Sequence, residues 1–122
     1  MSVSLLKSLR NHWQLKILAL GLMAGCAPKE IYYWGDYEDL IYKNYSKPIA
    51  PEMQIEKLEA DIQKAKGRAL PLPPGFHAQL GYLYFQTGNG VEARKHFEAE
   101  KTKFPESTVL MDRFLKKLKK SS

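Results

Sequence analysis

The fold is decided by residues 76–105, which read FHAQLGYLYFQTGNGVEARKHFEAEKTKFP. In both halves of this stretch, apolar side chains recur at the spacing of one helical face. The first set is Phe76, Leu80, Leu83 and Tyr84, and the second is Ala93, Phe97 and Phe104. Between the two sets, residues 87–90 contain two glycines that let the chain reverse within a few residues. The stretch therefore predicts two amphipathic helices that pack as a hairpin, with Gly81 at a close approach between them.

The spacing of these residues resembles that of a tetratricopeptide (TPR) unit, W-x2-L-G-x2-Y…A-x3-F…P. The matching positions are Leu80, Gly81, Tyr84, Gly88, Ala93, Phe97 and Pro105. Three positions depart from the pattern: His77 replaces the opening aromatic residue, Gly90 replaces a large apolar one, and Glu100 replaces a late alanine. The resemblance implies an all-α fold of stacked helical hairpins that serves binding. It implies no substrate.

Two helices are predicted before this hairpin and one after it. Residues 37–45 place Tyr37, Leu40, Ile41 and Tyr45 on one face, and a helix that begins at Pro51 carries the stripe Ile55, Leu58, Ile62 and Ala65. In this second helix we expect the charged side chains, Asp61 among them, to face water. The two helices together predict a degenerate first TPR-like hairpin. A last helix after Pro105 is expected to cap the stack with Val109, Leu110, Phe114, Leu115 and Leu118 facing inward.

The first 26 residues have the pattern of a secretory signal. A basic leader ends at Lys16, and residues 17–25 form an apolar run that is far shorter than the ~20 residues a membrane-spanning helix needs. The ending Leu22-Met23-Ala24-Gly25-Cys26 resembles the lipobox of bacterial lipoproteins. That resemblance implies cleavage before Cys26 and attachment of fatty acids such as palmitate to it. The alternative is an inert cysteine in a membrane-adjacent helix.

These patterns divide the chain into a lipoprotein signal peptide (1–25), an acylated cysteine with a short tether (26–36) and a TPR-like helical domain (37–120). Alanine, not aspartate, follows Cys26. By resemblance to enterobacterial lipoproteins, this implies a lipid anchor in the outer membrane and a body that faces the periplasm. Six aromatic residues lie between Tyr32 and Tyr45, and they suit either a core or a surface for a partner or membrane.

The net charge of +6 is concentrated at the two ends of the chain. Residues 26–111 carry 11 basic and 12 acidic side chains, whereas the last eleven residues hold five basic ones against Asp112. Because the body is close to neutral, a nucleic-acid partner is not expected.

No arrangement of residues points to catalysis. His77 and His96 belong to different predicted helices, and no His-x3-His or His-Glu-x2-His element is present, so we expect no metal site. We expect no enzymatic activity and no cofactor other than the covalent lipid on Cys26.

Several segments resemble a family of small bacterial lipoproteins with a domain of unknown function. They are YYWGDYEDLIYKNY, QIEKLEADIQKA, PPGFHAQLGYLYFQTGN, ARKHFEAEKTKFPES and VLMDRFLKKL. Members are commonly encoded beside a lipoprotein similar to the curli-export channel (CsgG type) and a second lipoprotein. The resemblance implies a role as a protein adaptor in a secretion or surface-assembly complex. The alternative is a structural envelope protein that binds peptidoglycan or stabilises the membrane. Tyr82 and Phe85 lie off the buried stripe, so we predict that they bind the partner.

Overall fold

The structure is a computed structural model that describes residues 2–22 and 28–121. All the regular structure in these residues is helical, which confirms the all-α prediction. The helices are α1 (Ser2–Leu22), α2 (Tyr37–Ser46), α3 (Pro51–Gly67), α4 (Phe76–Gln86), α5 (Gly90–Lys103) and α6 (Thr108–Ser121). A short 3₁₀ turn, Pro105–Ser107, precedes α6.

The chain divides into two units, Met1–Glu30 and Ile31–Ser122. The first contains α1, and the second contains the other five helices. In the described ranges, no helix combines the length and the apolar character needed to cross a membrane. The predicted lipidation site, Cys26, lies outside the described residues, so its lipidation stays a prediction from the sequence.

Two hydrophobic clusters hold the second unit together. The first joins α2, α3 and α4 and consists of Tyr33, Tyr37, Leu40, Leu58, Ala65, Leu72, Phe76, Leu80 and Leu83. The second joins α5 and α6 and consists of Ala93, Phe97, Met111, Leu115 and Leu118. Tyr84 packs against both clusters, so α4 links the two halves of the core. Both clusters lie entirely within Ile31–Ser122, and a fragment of residues 27–122 therefore keeps the whole core.

The hairpin of α4 and α5 depends on Gly81. A Cβ atom at this position would lie 2.7 Å from Phe97 Cε1 and 3.2 Å from the carbonyl oxygen of Ala93. Both distances are shorter than an ordinary van der Waals contact, so a larger residue would push the two helices apart. This is the close approach that the sequence predicts at Gly81. The turn itself uses Gly88 at φ +79°, and the Asn89 side chain caps α5 by accepting a hydrogen bond from the Glu92 N–H at 3.2 Å.

A hydrogen bond of the same kind occurs at the equivalent place in the helix pairs α2–α3 and α4–α5. The N–H of Asp36, the N-cap residue of α2, donates to Asp61 Oδ2 on α3 at 2.8 Å. The N–H of Gly75, the N-cap residue of α4, donates to Glu100 Oε1 on α5 at 2.7 Å. Donor and acceptor are 25 residues apart in both pairs. In each pair, a carboxylate from the second helix thus sits at the positive end of the first helix dipole.

The prediction that Asp61 faces water is therefore wrong. Its side chain is completely buried, and Gly35 (φ +48°) packs so closely on the carboxylate that a Cβ there would collide with it. A carboxylate can be buried in this way because it is hydrogen-bonded, and Lys64 Nζ lies 3.5 Å from its other oxygen.

Two predicted helix faces are also corrected. In α6, Val109 and Leu110 are exposed, and Met111 is buried with Leu115 and Leu118. Met111, Leu115 and Leu118 recur at the i, i+4, i+7 spacing of one face, whereas Val109 lies on the opposite side of the helix, so the predicted set does not form a single face. In α2, Tyr37 and Leu40 are buried as predicted, whereas Ile41 is exposed and Tyr45 is 95% exposed, because the second half of this short helix extends past the core.

Candidate functional site

Two buried histidines meet between α4 and α5. His77 is 7% exposed and His96 is 3% exposed, and their Nδ1 atoms are 2.9 Å apart. The ring planes are inclined by 24° with centroids 5.2 Å apart, which describes an edge-to-edge hydrogen bond rather than a stack. The two residues are 19 positions apart in the sequence and belong to different helices, as predicted, and the packing of α4 on α5 brings them into contact.

The neighbours of the pair fix the tautomer of each ring. Lys103 Nζ, which can only donate, lies 3.4 Å from His77 Nε2, so this nitrogen must accept. The proton of a neutral His77 is then on Nδ1, and it is donated to Nδ1 of His96. His96 carries its own proton on Nε2, which faces Glu59 Oε1 at 3.5 Å. The hydrogen bonds therefore run in one direction, from Lys103 through His77 to His96, whose Nε2–H faces Glu59 without a hydrogen bond to it.

Both imidazoles are held in the neutral form. Burial, followed by the positive charge of Lys103, lowers the pKa of His77 to about 4. Burial also lowers the pKa of His96, although the carboxylates of Glu59 and Glu92 oppose that effect. The geometry agrees with these directions. A second proton on His96 would place two N–H groups against each other across the 2.9 Å contact, and a second proton on His77 would point from Nε2 at the Lys103 ammonium.

Tyr84, one of the TPR-motif positions, completes the chain of polar contacts. Its hydroxyl donates to Glu59 Oε1 at 2.9 Å, and its ring lies nearly parallel to that of His96 at a centroid distance of 5.6 Å. Burial and the hydrogen bond to the Glu59 carboxylate raise the pKa of Tyr84 to about 12. Tyr84 therefore stays protonated and donates to Glu59, which connects α4 to α3.

A cavity of about 330 Å³ opens beside this chain. Its apolar lining comes from Ile62 and Ala65 on α3 and from the segment Leu70–Leu72. Its polar lining comes from all three helices and consists of Glu59, Gln63 and Lys66 on α3, His77 on α4, and Lys95, His96 and Lys103 on α5. This arrangement offers hydrogen-bond donors and positive charge beside an apolar surface, and such a combination binds small amphipathic ligands.

In the sequence, this site is indicated by the positions that depart from the TPR pattern. His77 stands where the pattern has an aromatic residue, and Glu100 stands where it has alanine, yet both side chains are buried. Glu100 accepts hydrogen bonds from the N–H groups of Gly75 at 2.7 Å and Ala78 at 3.3 Å. A polar residue at a position that the pattern reserves for the core predicts a buried polar contact. The partners of that contact depend on the packing of the two helices, so local spacing does not identify them.

Within the part of the chain that the structure describes, no three or more His, Cys, Asp or Glu side chains are grouped closely enough to hold a metal ion.

The two predicted partner-binding residues differ in their surroundings. Tyr82 is 39% exposed, and its ring lies 5.9 Å from that of Phe114 on α6. Leu110, one helical turn before Phe114, is exposed as well. We call Tyr82, Leu110 and Phe114 the α4–α6 surface. Phe85 is half-buried and packs against the second hydrophobic cluster, so it also contributes to the core.

Of the aromatic residues in 32–45, some lie in the core and others lie on the surface. Tyr33 and Tyr37 belong to the core, whereas Trp34, Tyr42 and Tyr45 are exposed. The basic residues near the end of the chain form an exposed face of α6, and they are Arg113, Lys116, Lys117, Lys119 and Lys120.

Together, the helices define a class: an all-α body in which the hairpin of α4 and α5 packs between α3 and α6. The chain belongs to the family described as a domain of unknown function (DUF4810), whose profile matches residues 31–114. This match begins with the second structural unit and reaches into α6. No curated protein and no solved structure is significantly similar to the chain.

Proposed function

We propose that this protein is a non-enzymatic adaptor, held by lipid on Cys26 at the periplasmic face of the outer membrane, that binds a protein of a secretion or surface-assembly complex. The proposed partners are a lipoprotein similar to the curli-export channel and its companion lipoprotein. The lipobox ending at Cys26 supports the anchor, and it lies just before residues 31–114, where the family domain is found. TPR-like hairpins, which the sequence predicts for this body, are typical of binding proteins.

The observation that carries the binding role is the α4–α6 surface. Tyr82, Leu110 and Phe114 bring apolar area from two helices together, and Tyr82 and Leu110 expose much of theirs to solvent. Aromatic side chains in such patches commonly contribute most of the binding energy at protein interfaces. The buried polar groups of α3, α4 and α5 hold the helices in register behind this surface.

The test is co-purification from membranes in mild detergent. We expect Tyr82→Ala to fold like the wild type and to recover at least tenfold less partner, because a central aromatic contact contributes about 1–2 kcal/mol or more. Tyr42→Ala is the matched control, since Tyr42 is an exposed tyrosine on α2, away from this surface. Phe85 is left intact because its removal would open a cavity in the core.

Equal recovery by both variants would reject the α4–α6 surface. If the wild type recovers no envelope protein, the adaptor function itself is rejected. The second candidate function, binding to peptidoglycan, is favoured by the exposed basic face of α6 and predicts sedimentation of the protein with purified cell wall. Sedimentation with cell wall, without recovery of a protein partner, would decide for that alternative.

A further inference from the structure

We propose that the cavity between α3, α4 and α5 is a binding site for a carboxylate with a short apolar body. This inference does not depend on the α4–α6 surface or on the lipid anchor. It rests on the size of the cavity, the donors that line it and its apolar lining.

The charges on the cavity favour an anion. Lys66, Lys95 and Lys103 line it, of which Lys95 is paired with Glu92 at 2.9 Å, and Glu59 is the one acidic side chain among its described lining residues. The carboxylate of Glu59 is engaged by the Tyr84 hydroxyl at 2.9 Å, which reduces its repulsion of an incoming anion. In the described part of the chain, Lys66 and Lys103 have no carboxylate within 4.0 Å, so their positive charges are free for a ligand.

A buried donor in the polar lining is poorly satisfied. Nε2 of His96 has no hydrogen-bond partner, although the residue is 3% exposed. The tautomer assigned above places a proton on this atom, and Glu59 Oε1 is 3.5 Å away, at the outer limit of a hydrogen bond. An unsatisfied buried N–H is unfavourable, and a ligand oxygen that accepts from it would remove part of that penalty. Lys103 likewise gives only one of its three N–H groups to His77.

The apolar lining of the cavity favours an apolar body for the ligand. Ile62, Leu70 and Leu72 supply this lining. A volume of about 330 Å³ is at the lower end of the range for ligand sites, and it suits a short alkyl chain or one amino-acid side chain. Two sources supply this chemistry: a free short-chain carboxylate, or the terminal residue of a polypeptide with its α-carboxylate.

The experiment titrates the fragment of residues 27–122 with hexanoate and with the peptide acetyl-Ala-Ala-Leu that ends in a free carboxylate, and it follows the two imidazoles by NMR. Hexanamide and the peptide amide are the uncharged controls. We expect the carboxylates to shift the signals of His77 and His96 with saturation, and the amides to bind at least tenfold more weakly. Stronger binding of hexanoate assigns the site to a free carboxylate, and stronger binding of the peptide assigns it to a polypeptide terminus.

Two lysine variants test the location of the site. Lys103→Gln should weaken carboxylate binding at least tenfold, whereas Lys57→Gln, on a part of α3 that does not line the cavity, should leave it unchanged. Because Lys103 is exposed, its replacement is not expected to unfold the domain. Three results would each overturn the proposal. They are equal binding of carboxylates and amides, equal effects of the two lysine variants on binding, and no change in the histidine signals at about 20 mM ligand, which is 20 times a millimolar dissociation constant.

Discussion

The carboxylate of Glu100 ties the start of α4 to α5. It is 2% exposed and accepts hydrogen bonds from two backbone N–H groups, those of Gly75 and Ala78. Its negative charge also raises the pKa of the Tyr37 hydroxyl, although burial is the larger cause of that shift. One side chain therefore supplies the helix cap that Gly75, which has no side chain, cannot provide.

Replacing Glu100 with alanine should lower the free energy of unfolding by about 1–3 kcal/mol, because two buried N–H groups lose their acceptor. Urea denaturation of the fragment 27–122 measures this change. Glu98→Ala is the matched control, since Glu98 is an exposed acid on the same helix and should alter stability by no more than about 0.5 kcal/mol. The same loss in both variants would show that the capping contact does not stabilise the fold.

The histidine pair predicts a pH dependence of stability. The pKa values of His77 and His96 are lowered in the folded state, so below about pH 6.5 the unfolded chain binds protons that the folded chain does not. Stability is therefore full above that pH and falls as the pH drops towards about 4, by roughly 1–3 kcal/mol. The charged groups that face the pair are Glu59 on α3 and Glu92, Lys95 and Lys103 on α5.

NMR titration of the same fragment checks this prediction, because His77 and His96 are its only histidines. Between pH 7.5 and 5.5 we expect the His77 imidazole not to change its chemical shift as a protonating ring does, and we expect His96 to titrate below the ordinary pKa of histidine. A folded-state titration of either ring near pH 6.5 would contradict the neutral, hydrogen-bonded pair.

At the scale of the helices, Gly81 controls how closely α4 packs on α5. Gly81→Leu should destabilise the fold by about 1–3 kcal/mol through overpacking against Phe97, and Gly81→Ala should have a smaller effect in the same direction. Thermal melting followed by circular dichroism measures both. Gly67→Ala serves as the control, because a Cβ at Gly67 meets no atom within 4 Å. If the Gly81 variants melt with the control, the helices are not packed at this glycine.

The helices themselves were largely predictable from the sequence, because periodicity and turn residues are local signals. Pro51 begins α3, and Gly88 lies in the turn between α4 and α5, where the sequence predicts them. The inward face of α6 was also present in the sequence, because Met111, Leu115 and Leu118 have the i, i+4, i+7 spacing of one face, but the prediction left out Met111. Tyr45 is exposed because of where the neighbouring helices end, and the sequence of α2 alone does not give this information.

The candidate site was less predictable than the fold. The contact between His77 and His96, and the burial of Asp61 and Glu100, join residues 19 to 25 positions apart. Such contacts require the register of one helix on another, and that register is set by Gly81, Phe97 and the rest of the core. The exceptions to the TPR pattern mark the positions of two of these polar side chains, but they do not reveal the chain of hydrogen bonds.

At the scale of the whole molecule, the proposed function assigns partner binding to one structural unit and membrane anchoring to the other. The compact unit Ile31–Ser122 carries both cores, the cavity and the α4–α6 surface, and the family domain lies within it. The unit Met1–Glu30 contains the proposed signal peptide and acylated cysteine. Two or more fatty acyl chains on Cys26 would hold the body stably at a membrane, whereas a single chain gives only reversible binding. The adaptor role therefore depends on the modification of this one residue.

Labelling of growing cells with radioactive palmitate, followed by separation of inner and outer membranes, tests this central claim most directly. We predict that the wild-type protein carries the label and fractionates with the outer membrane. Cys26→Ala should remain unlabelled, keep the size of the uncleaved precursor and disappear from that fraction. An unlabelled wild-type protein, or a Cys26→Ala variant that is found in the outer membrane as the wild type is, would contradict the account.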